Sequence, residues 1–260
     1  MVKSVLFDLD GTLLDRDTSI QQFITAQYDR LIAHLNHIPK TNYITRFIEL
    51  ECHGYVWKDR VYQDLVSEFA IMGISWQALL EDYETQFQFH CVPFHFLKET
   101  LIWLKQQGYL LGIISNGLGH VQARAINGLG IRDYFDVILI SEVEQVRKPE
   151  PEIFRRATNQ LGVTVQDSVF IGDHPEADII GAKNAGMMTI WKRSPHWMDV
   201  KQADAIIDEL NEIPSILQVM LDREQERTAF TERRILLRGV ERISSDLAPG
   251  NFNVNSLTKC

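Results

Sequence analysis

Cysteine is scarce in this 260-residue chain, and the three cysteines form no motif. Cys52, Cys91 and Cys260 are widely spaced and none belongs to a CxxC pair. The sequence therefore indicates neither a disulfide framework nor a zinc site. We expect a protein of a reducing compartment, which favours the cytoplasm.

Long hydrophobic runs are also missing. No apolar stretch approaches the roughly 20 residues that cross a bilayer, and the sequence opens without a signal-peptide pattern. We therefore expect no membrane partner.

Positive charge is in deficit, since 26 Lys and Arg face 35 Asp and Glu and give a formal net charge of −9. This balance argues against a nucleic-acid polymer as partner, because such binding rests on neutralising many phosphates. A small anionic substrate remains compatible, since a few local cations or a metal ion suffice to bind it. The composition, with 45% hydrophobic and 23% charged residues, is ordinary for a globular protein.

Short apolar runs alternate with helical patterns over most of the chain. Continuous apolar strands between helices are typical of a parallel sheet covered on both faces. The predicted fold class is α/β, a doubly wound parallel sheet. The predicted strands are the run ending at Phe7 and the segments 109–114, 137–140, 168–171, 188–191 and, more weakly, 205–207.

Residues 16–92 interrupt this alternation. They contain no convincing strand, and their apolar residues recur three or four positions apart, as in Ile20, Phe23 and Ile24. We therefore predict an α-helical cap inserted after the first strand. The predicted domains are a core of 1–15 and 93–220, a cap of 16–92, and a polar extension of 221–260, partly disordered and with a helix at about 226–241.

Polar side chains follow several of the predicted strands. In an open parallel sheet, ligands bind at the carboxyl ends of the strands. The residues at those ends are Asp8 and Asp10 after the first strand, Ser115 and Asn116 after the second, Lys148 after the third and Asp173 after the fourth.

Asp8 and Asp10 can divide the labour of a phosphoryl transfer. One carboxylate can attack phosphorus, and the other can protonate the leaving alcohol and then deprotonate water. The alternative for Asp-x-Asp-Gly-Thr is a simple turn.

Asp173 and Asp178 suggest a metal site. Magnesium prefers one or two protein carboxylates, with water and substrate phosphate completing its shell. Asp173 and Asp8 would share the metal. The alternative is that one of these acids caps the next helix, which suits Asp178 better than Asp173.

Ser115, Asn116 and Lys148 suggest a phosphate site. A hydroxyl and the amides that follow a strand can form a concave anion site, and the lysine can hold both the attacking carboxylate and the phosphate. Individually, Ser-Asn-Gly is also an ordinary turn and Lys148 an ordinary surface lysine.

Taken together, these motifs closely resemble the haloacid dehalogenase superfamily over about residues 1 to 210. The matching segments are Asp8-Leu9-Asp10-Gly11-Thr12, Ser115-Asn116-Gly117, Lys148-Pro149, and Gly172-Asp173 with Asp178. The insertion resembles the cap of the phosphoglycolate-phosphatase-like branch.

The resemblance implies a role for each motif residue. Asp8 would be the nucleophile and Asp10 the general acid/base, while Thr12 would position the first loop. Ser115 and Lys148 would bind the phosphoryl group, with Asn116 beside them. Magnesium would be held by Asp8, the main chain of Asp10 and Asp173, with Asp178 supporting that shell.

The resemblance also implies the reaction. Dehalogenases and phosphonate-cleaving relatives lack the second aspartate, so Asp10 favours a Mg²⁺-dependent phosphatase that hydrolyses a small phosphate monoester through an aspartyl-phosphate on Asp8. The substrate class would be a nucleotide, a sugar phosphate or a phosphoglycolate-like compound. A phosphomutase and a non-catalytic binding or regulatory protein are the alternatives, and the oligomeric state is open.

Specificity is expected to lie in the cap. Its polar candidates are Arg46, His53, Lys58 and Arg60, of which we expect at most one or two to face the site.

Overall fold

The computed structural model describes residues 2–198 and 200–222. Val2–Ile216 form one compact unit, and a second unit begins at Leu217, of which residues 217–222 are described and helical. The extension predicted for 221–260, including its helix at about 226–241, lies outside the described residues except for 221 and 222. None of the described helices is long and apolar enough to cross a membrane.

Six parallel strands form the sheet. Their order is β3-β2-β1-β4-β5-β6, with helices on its flanks, which confirms the predicted α/β fold class. The order reverses direction at β1, where ligands bind in sheets of this kind. The strands are β1 (Ser4–Phe7), β2 (Leu110–Ser115), β3 (Val137–Ile140), β4 (Ser168–Gly172), β5 (Met188–Lys192) and β6 (Ala205–Ile207).

Helices occupy the predicted insertion. Five α-helices lie between β1 and residue 92, and the described residues of that range contain no strand. They are α1 (Arg16–Arg30), α2 (Ile32–Leu35), α3 (Lys40–Glu51), α4 (Lys58–Glu68) and α5 (Trp76–Gln86). Since Val2–Ile216 form a single compact unit, the division into core and cap domains stays a prediction.

The remaining α-helices connect or flank the strands. They are α6 (Leu97–Gln106), α7 (Gly119–Leu129), α8 (Ser141–Glu144), α9 (Pro151–Gln160) and α10 (Gly181–Ala185).

The helix after β4 differs from its predicted form. The sequence pattern predicts an α-helix from about residue 177 to 185, but Pro175–Ile180 is π-helical and α10 covers only the end. The segment is capped from before its first residue, where the His174 ring Nδ1 accepts hydrogen bonds of 3.1 Å from the amides of Glu176 and Ala177. This cap starts the helical segment earlier than the apolar pattern suggests.

The register of the sheet brings the predicted site residues to one edge. Phe7, the last residue of β1, lies opposite Ile113 of β2 and Ile171 of β4. The segments that follow these strands therefore leave the sheet at the same edge. Beneath it, the fully buried Leu6 and Phe170 pack in one apolar cluster with residues of β2, β3 and α9.

Gly128 of α7 supplies a test of the packing between the core and the insertion. A Cβ at this glycine would overlap the backbone carbonyl oxygen of Gln88, which cannot move independently of its chain. We predict that Gly128→Ala lowers the free energy of unfolding by about 1–3 kcal/mol, typical of overpacking, although alanine favours helices.

Gly119→Ala in the same helix is the matched control. There the Cβ would lie 2.8 Å from Cγ2 of Val143, a side chain that is 68% exposed and free to rotate. Thermal denaturation of both variants checks the prediction, and equal midpoints would contradict it.

Candidate active site

Lys148 bridges two buried carboxylates at the end of β1. Asp8 follows β1 directly and is 6% exposed. The Lys148 ammonium lies 2.5 Å from Oδ1 of Asp8 and 2.7 Å from Oδ1 of Asp178. The first and last predicted motifs thus meet through the lysine of the third.

These charges shift one another's pKa values. Burial raises the pKa of Asp8 from 3.8 to about 7; Lys148 opposes this rise, and Asp178 adds to it. Burial and the charges of Asp178 and Asp8 raise the pKa of Asp173 well above its ordinary value. Burial lowers the pKa of Lys148, but Asp178 and Asp8 raise it by more.

Asp8, Asp173 and Asp178 form a carboxylate cluster. One oxygen of each lies within 4.8 Å of the others. A single ammonium, that of Lys148, neutralises one of these three negative charges. Carboxylate oxygens are the donors that Mg²⁺ prefers, so this donor set fits a divalent cation.

Gln122 of α7 holds the second aspartate of the first motif. Its Nε2 donates hydrogen bonds of 2.7 Å both to Oδ2 of Asp10 and to Oγ of Ser115. Sequence reasoning missed Gln122, because only the fold places the first turns of α7 against the end of β1.

The Asn116 side chain forms two hydrogen bonds with the main chain of Lys148. Its Nδ2 donates to the Lys148 carbonyl oxygen at 2.9 Å, and the Lys148 amide donates to its Oδ1 at 2.9 Å. The Asn116 side chain therefore fixes the lysine loop, and the phosphate role of its backbone amide stays a prediction. Thr12 is fully buried, and its hydroxyl makes no hydrogen bond with any described residue.

Asp178 ties the loop after β4 to the site. Its Oδ2 accepts from the His174 amide at 2.9 Å. The helix N-terminus is capped by the His174 ring, as described above, and Asp178 turns toward Lys148. The Trp191 indole donates to the Asp173 carbonyl oxygen at 2.6 Å, which anchors this loop to β5.

A cavity of about 660 Å³ opens above the carboxylates. From the insertion it is lined by Arg16, His53 and Tyr55, and from the loop after β5 by residues 193–197. Of the four proposed specificity residues, His53 lines this cavity and Lys58 lines a second one that also reaches Asp10.

The other two specificity candidates are engaged elsewhere. Arg46 pairs with Glu49 and Glu68, and Arg60 pairs with Asp64. The expectation that at most two of the four face the site agrees with this placement.

Comparison with protein families identifies the family of this chain. Residues 5–192 match the model of the haloacid dehalogenase-like hydrolases, which is most of the chain. The chain belongs to this family.

Similar members include named phosphatases. The glyceraldehyde 3-phosphate phosphatase of Pyrococcus furiosus is 30% identical over 249 residues, 86% of this chain and 94% of the relative. The pyrophosphatase PpaX of Bacillus cereus is 27% identical over 227 residues, 84% of this chain and 98% of the relative.

Two solved structures share the fold. A HAD phosphatase from Thermococcus onnurineus is 32% identical, with a TM-score of 0.61, over 83% of this chain and 98% of that one. The HAD-hydrolase YfnB of Bacillus subtilis, solved bound to magnesium, is 24% identical, with a TM-score of 0.64, over 83% of this chain and 98% of that one.

The predicted family and enzyme class, a HAD-type phosphatase, are confirmed by these matches. The assignment to the phosphoglycolate-phosphatase-like branch stays a prediction, as do the roles of the individual site residues.

Within this HAD-type site, the insertion contributes a buried ion network. Arg16 donates two hydrogen bonds to Glu51, at 3.2 and 2.5 Å, and Lys58 lies 3.0 Å from the same carboxylate. Burial raises the pKa of Glu51, but the two cations lower it overall to about 2. Sequence reasoning missed the Arg16–Glu51 pair, because 35 positions separate its members.

The carboxylate cluster predicts metal-dependent stability. Because a bound cation stabilises the folded state alone, Mg²⁺ at a hundredfold excess over its dissociation constant should add about 2.7 kcal/mol. Asp173→Asn should abolish this gain, and the exposed Asp133→Asn should preserve it. Thermal denaturation with and without Mg²⁺ checks this, and an unchanged shift in Asp173→Asn would contradict it.

The raised pKa of Asp8 predicts a pH dependence in metal-free protein. Between pH 3.8 and about 7 the folded state holds the proton more tightly than the unfolded state, so this group's contribution to stability falls as pH rises. Asp8→Asn should therefore stabilise the protein more at pH 8 than at pH 5.5. Denaturant unfolding at both pH values measures this, and a larger gain at pH 5.5 would refute it.

Proposed function

We propose that the protein is a Mg²⁺-dependent phosphatase that hydrolyses a small phosphate monoester through an aspartyl-phosphate on Asp8. The observation that carries the proposal is the buried Asp8–Lys148–Asp178 arrangement at the end of β1. Lys148 holds Oδ1 of Asp8, while Oδ2 receives no hydrogen bond from the described residues. Oδ2 is the oxygen that would attack.

In the first step, Asp8 attacks the phosphorus atom. A bond forms between Oδ2 and phosphorus, and the bond from phosphorus to the leaving oxygen breaks. Asp10 gives its proton to that oxygen, which leaves as a neutral alcohol. Gln122 orients the Asp10 carboxyl through its hydrogen bond to Oδ2.

In the second step, water attacks the phosphorus of the aspartyl-phosphate. Asp10, now ionised, takes a proton from that water, and the Asp8 carboxylate is released with inorganic phosphate. Ser115 and Lys148 would bind the phosphoryl oxygens in both steps. The Asn116 clamp would keep the lysine backbone in place while its ammonium exchanges partners.

Asp8, Asp173 and the main chain of Asp10 would hold Mg²⁺, with Asp178 supporting them. When bound, the cation neutralises charge on the carboxylates and the phosphoryl group, so that the anions can approach. Support comes from the carboxylate cluster of this chain and from the donor preference of Mg²⁺.

We propose a substrate of about the size of a triose phosphate. Support comes from relatives named glyceraldehyde 3-phosphate phosphatase. Pyrophosphate, an anhydride whose leaving group is phosphate rather than an alcohol, is the second candidate, because other relatives are named pyrophosphatase PpaX. The cytoplasmic location stays a prediction.

Phosphate release from these two compounds tests the proposal, with hexose phosphates included in the panel. Mg²⁺-dependent release that Asp8→Asn abolishes is the expected result. Isomerisation of a hexose phosphate without release would identify a phosphomutase instead. An inactive protein across a broad panel of phosphate esters would favour the non-catalytic alternative.

The proton supplied by Asp10 predicts a dependence on the leaving group. Asp10→Asn should lower the single-turnover rate of phosphoryl transfer from an alkyl phosphate to Asp8 by about 10²–10⁴-fold, the usual contribution of a general acid. The loss in the first step should be much smaller for p-nitrophenyl phosphate, whose leaving group needs no proton. Single-turnover rates for the two esters check this, and equal losses would contradict the acid role.

A further inference from the structure

Lys192 is a buried cation beside the proposed catalytic centre that the mechanism does not use. It is the last residue of β5, and the pairing of Trp191 with Gly172 places it next to the position of Asp173. The residue is 4% exposed and lines the 660 Å³ cavity. Its ammonium lies 3.4 Å from the ring centroid of Phe94, another cavity residue.

The Lys192 ammonium has no carboxylate partner within ion-pair distance among the described residues. The other Lys and Arg side chains of the cavity are paired with carboxylates or exposed to solvent, whereas Lys192 is buried without a carboxylate partner in the described part of the chain. Arg16 pairs with Glu51, Lys148 with Asp8 and Asp178, Arg193 bonds to Asp208, and Arg147 is exposed to solvent.

Burial without a carboxylate partner disfavours the charged lysine, and the cation–π contact with Phe94 offsets part of that cost. Burial lowers the pKa of Lys192, and Asp173 and Glu209 oppose this without restoring the ordinary value. A buried charge of this kind is costly until an opposite charge reaches it. An anion in the cavity would therefore gain more binding free energy at Lys192 than at a lysine that already has a carboxylate partner.

The position of Lys192 separates its ligand from the scissile phosphate. β4 lies between β1 and β5, so the main-chain ends of β1 and β5 are about 10 Å apart at the usual strand spacing. The Lys192 ammonium lies over the Phe94 ring, whereas Asp8 is paired with Lys148. Lys148 already serves the phosphoryl position at Asp8. An anion at Lys192 would thus belong to another part of the substrate.

We propose that Lys192 binds a second anionic group of the substrate, a carboxylate or a second phosphoryl group, on the leaving-group side of the phosphate that Asp8 attacks. This inference rests on the proposed phosphatase function and narrows its substrate class to compounds with two anionic groups. Lys192 then acts as a specificity residue.

Three compounds of one carbon skeleton test the carboxylate form. 3-Phosphoglycerate, glyceraldehyde 3-phosphate and glycerol 3-phosphate carry the same phosphate and differ at the far carbon, which is a carboxylate, an aldehyde or a hydroxymethyl group. We expect the wild type to show a kcat/KM at least about tenfold higher for the carboxylate than for the hydroxymethyl compound, equivalent to 1.4 kcal/mol. Lys192→Met should bring this ratio close to one.

Pyrophosphate tests the phosphoryl form in the same variants. The second group is phosphoryl if Lys192→Met lowers kcat/KM for pyrophosphate at least tenfold more than kcat/KM for glycerol 3-phosphate. In that case the kcat/KM ratio between 3-phosphoglycerate and glycerol 3-phosphate should stay unchanged. Lys192→Arg should retain most of the preference in either case. Arg147→Met, which removes an exposed cation of the same cavity, should retain it as well.

The two proposals fail in different ways. If the wild type releases phosphate but Lys192→Met lowers every kcat/KM equally, or changes none, Lys192 is not a specificity residue and the phosphatase function stands. If the wild type releases no phosphate from any compound, the proposed function fails. Thermal denaturation confirms that each variant folds, and Lys192→Gln replaces Lys192→Met if the latter does not.

Discussion

The site depends on one electrostatic constraint, the crowding of three carboxylates, two of which share the buried ammonium of Lys148. Asp8, Asp173 and Asp178 each have an oxygen within 4.8 Å of the others, and Lys148 balances only one of their charges. Such a cluster is unfavourable unless the fold holds it together and a cation completes it. The parallel sheet supplies the first condition, because its register brings the ends of β1 and β4 side by side.

The backbone around the cluster is fixed by side chains that carry no charge of their own. Asn116 clamps the main chain of Lys148, and the Trp191 indole holds the carbonyl of Asp173. Gln122 links Asp10 to Ser115. These neutral contacts preorganise the charged groups, which is how a site stabilises developing charge without rearranging.

Much of this arrangement could be predicted from the sequence, since the continuous apolar runs of buried strands and the acidic residues at their ends are local signals. Asp8 and Asp173 could be placed at strand ends because parallel strands share one edge. The roles of Gln122 and Lys192 could not be predicted, because a glutamine in a helix and a lysine at a strand end look ordinary until the tertiary fold places them beside the site. The start of the helical segment after β4 could not be predicted either, since its cap is the imidazole of His174.

The central claim is that Asp8 becomes phosphorylated, and trapping that species tests it most directly. The Asp10→Asn variant, which should accept a phosphoryl group from p-nitrophenyl phosphate and release it slowly, can be quenched in acid and digested for mass spectrometry. The account predicts one phosphoryl group on the peptide that contains Asp8. A phosphoryl group on a different residue, or nitrophenol released in a burst without any phosphorylated peptide, would contradict it.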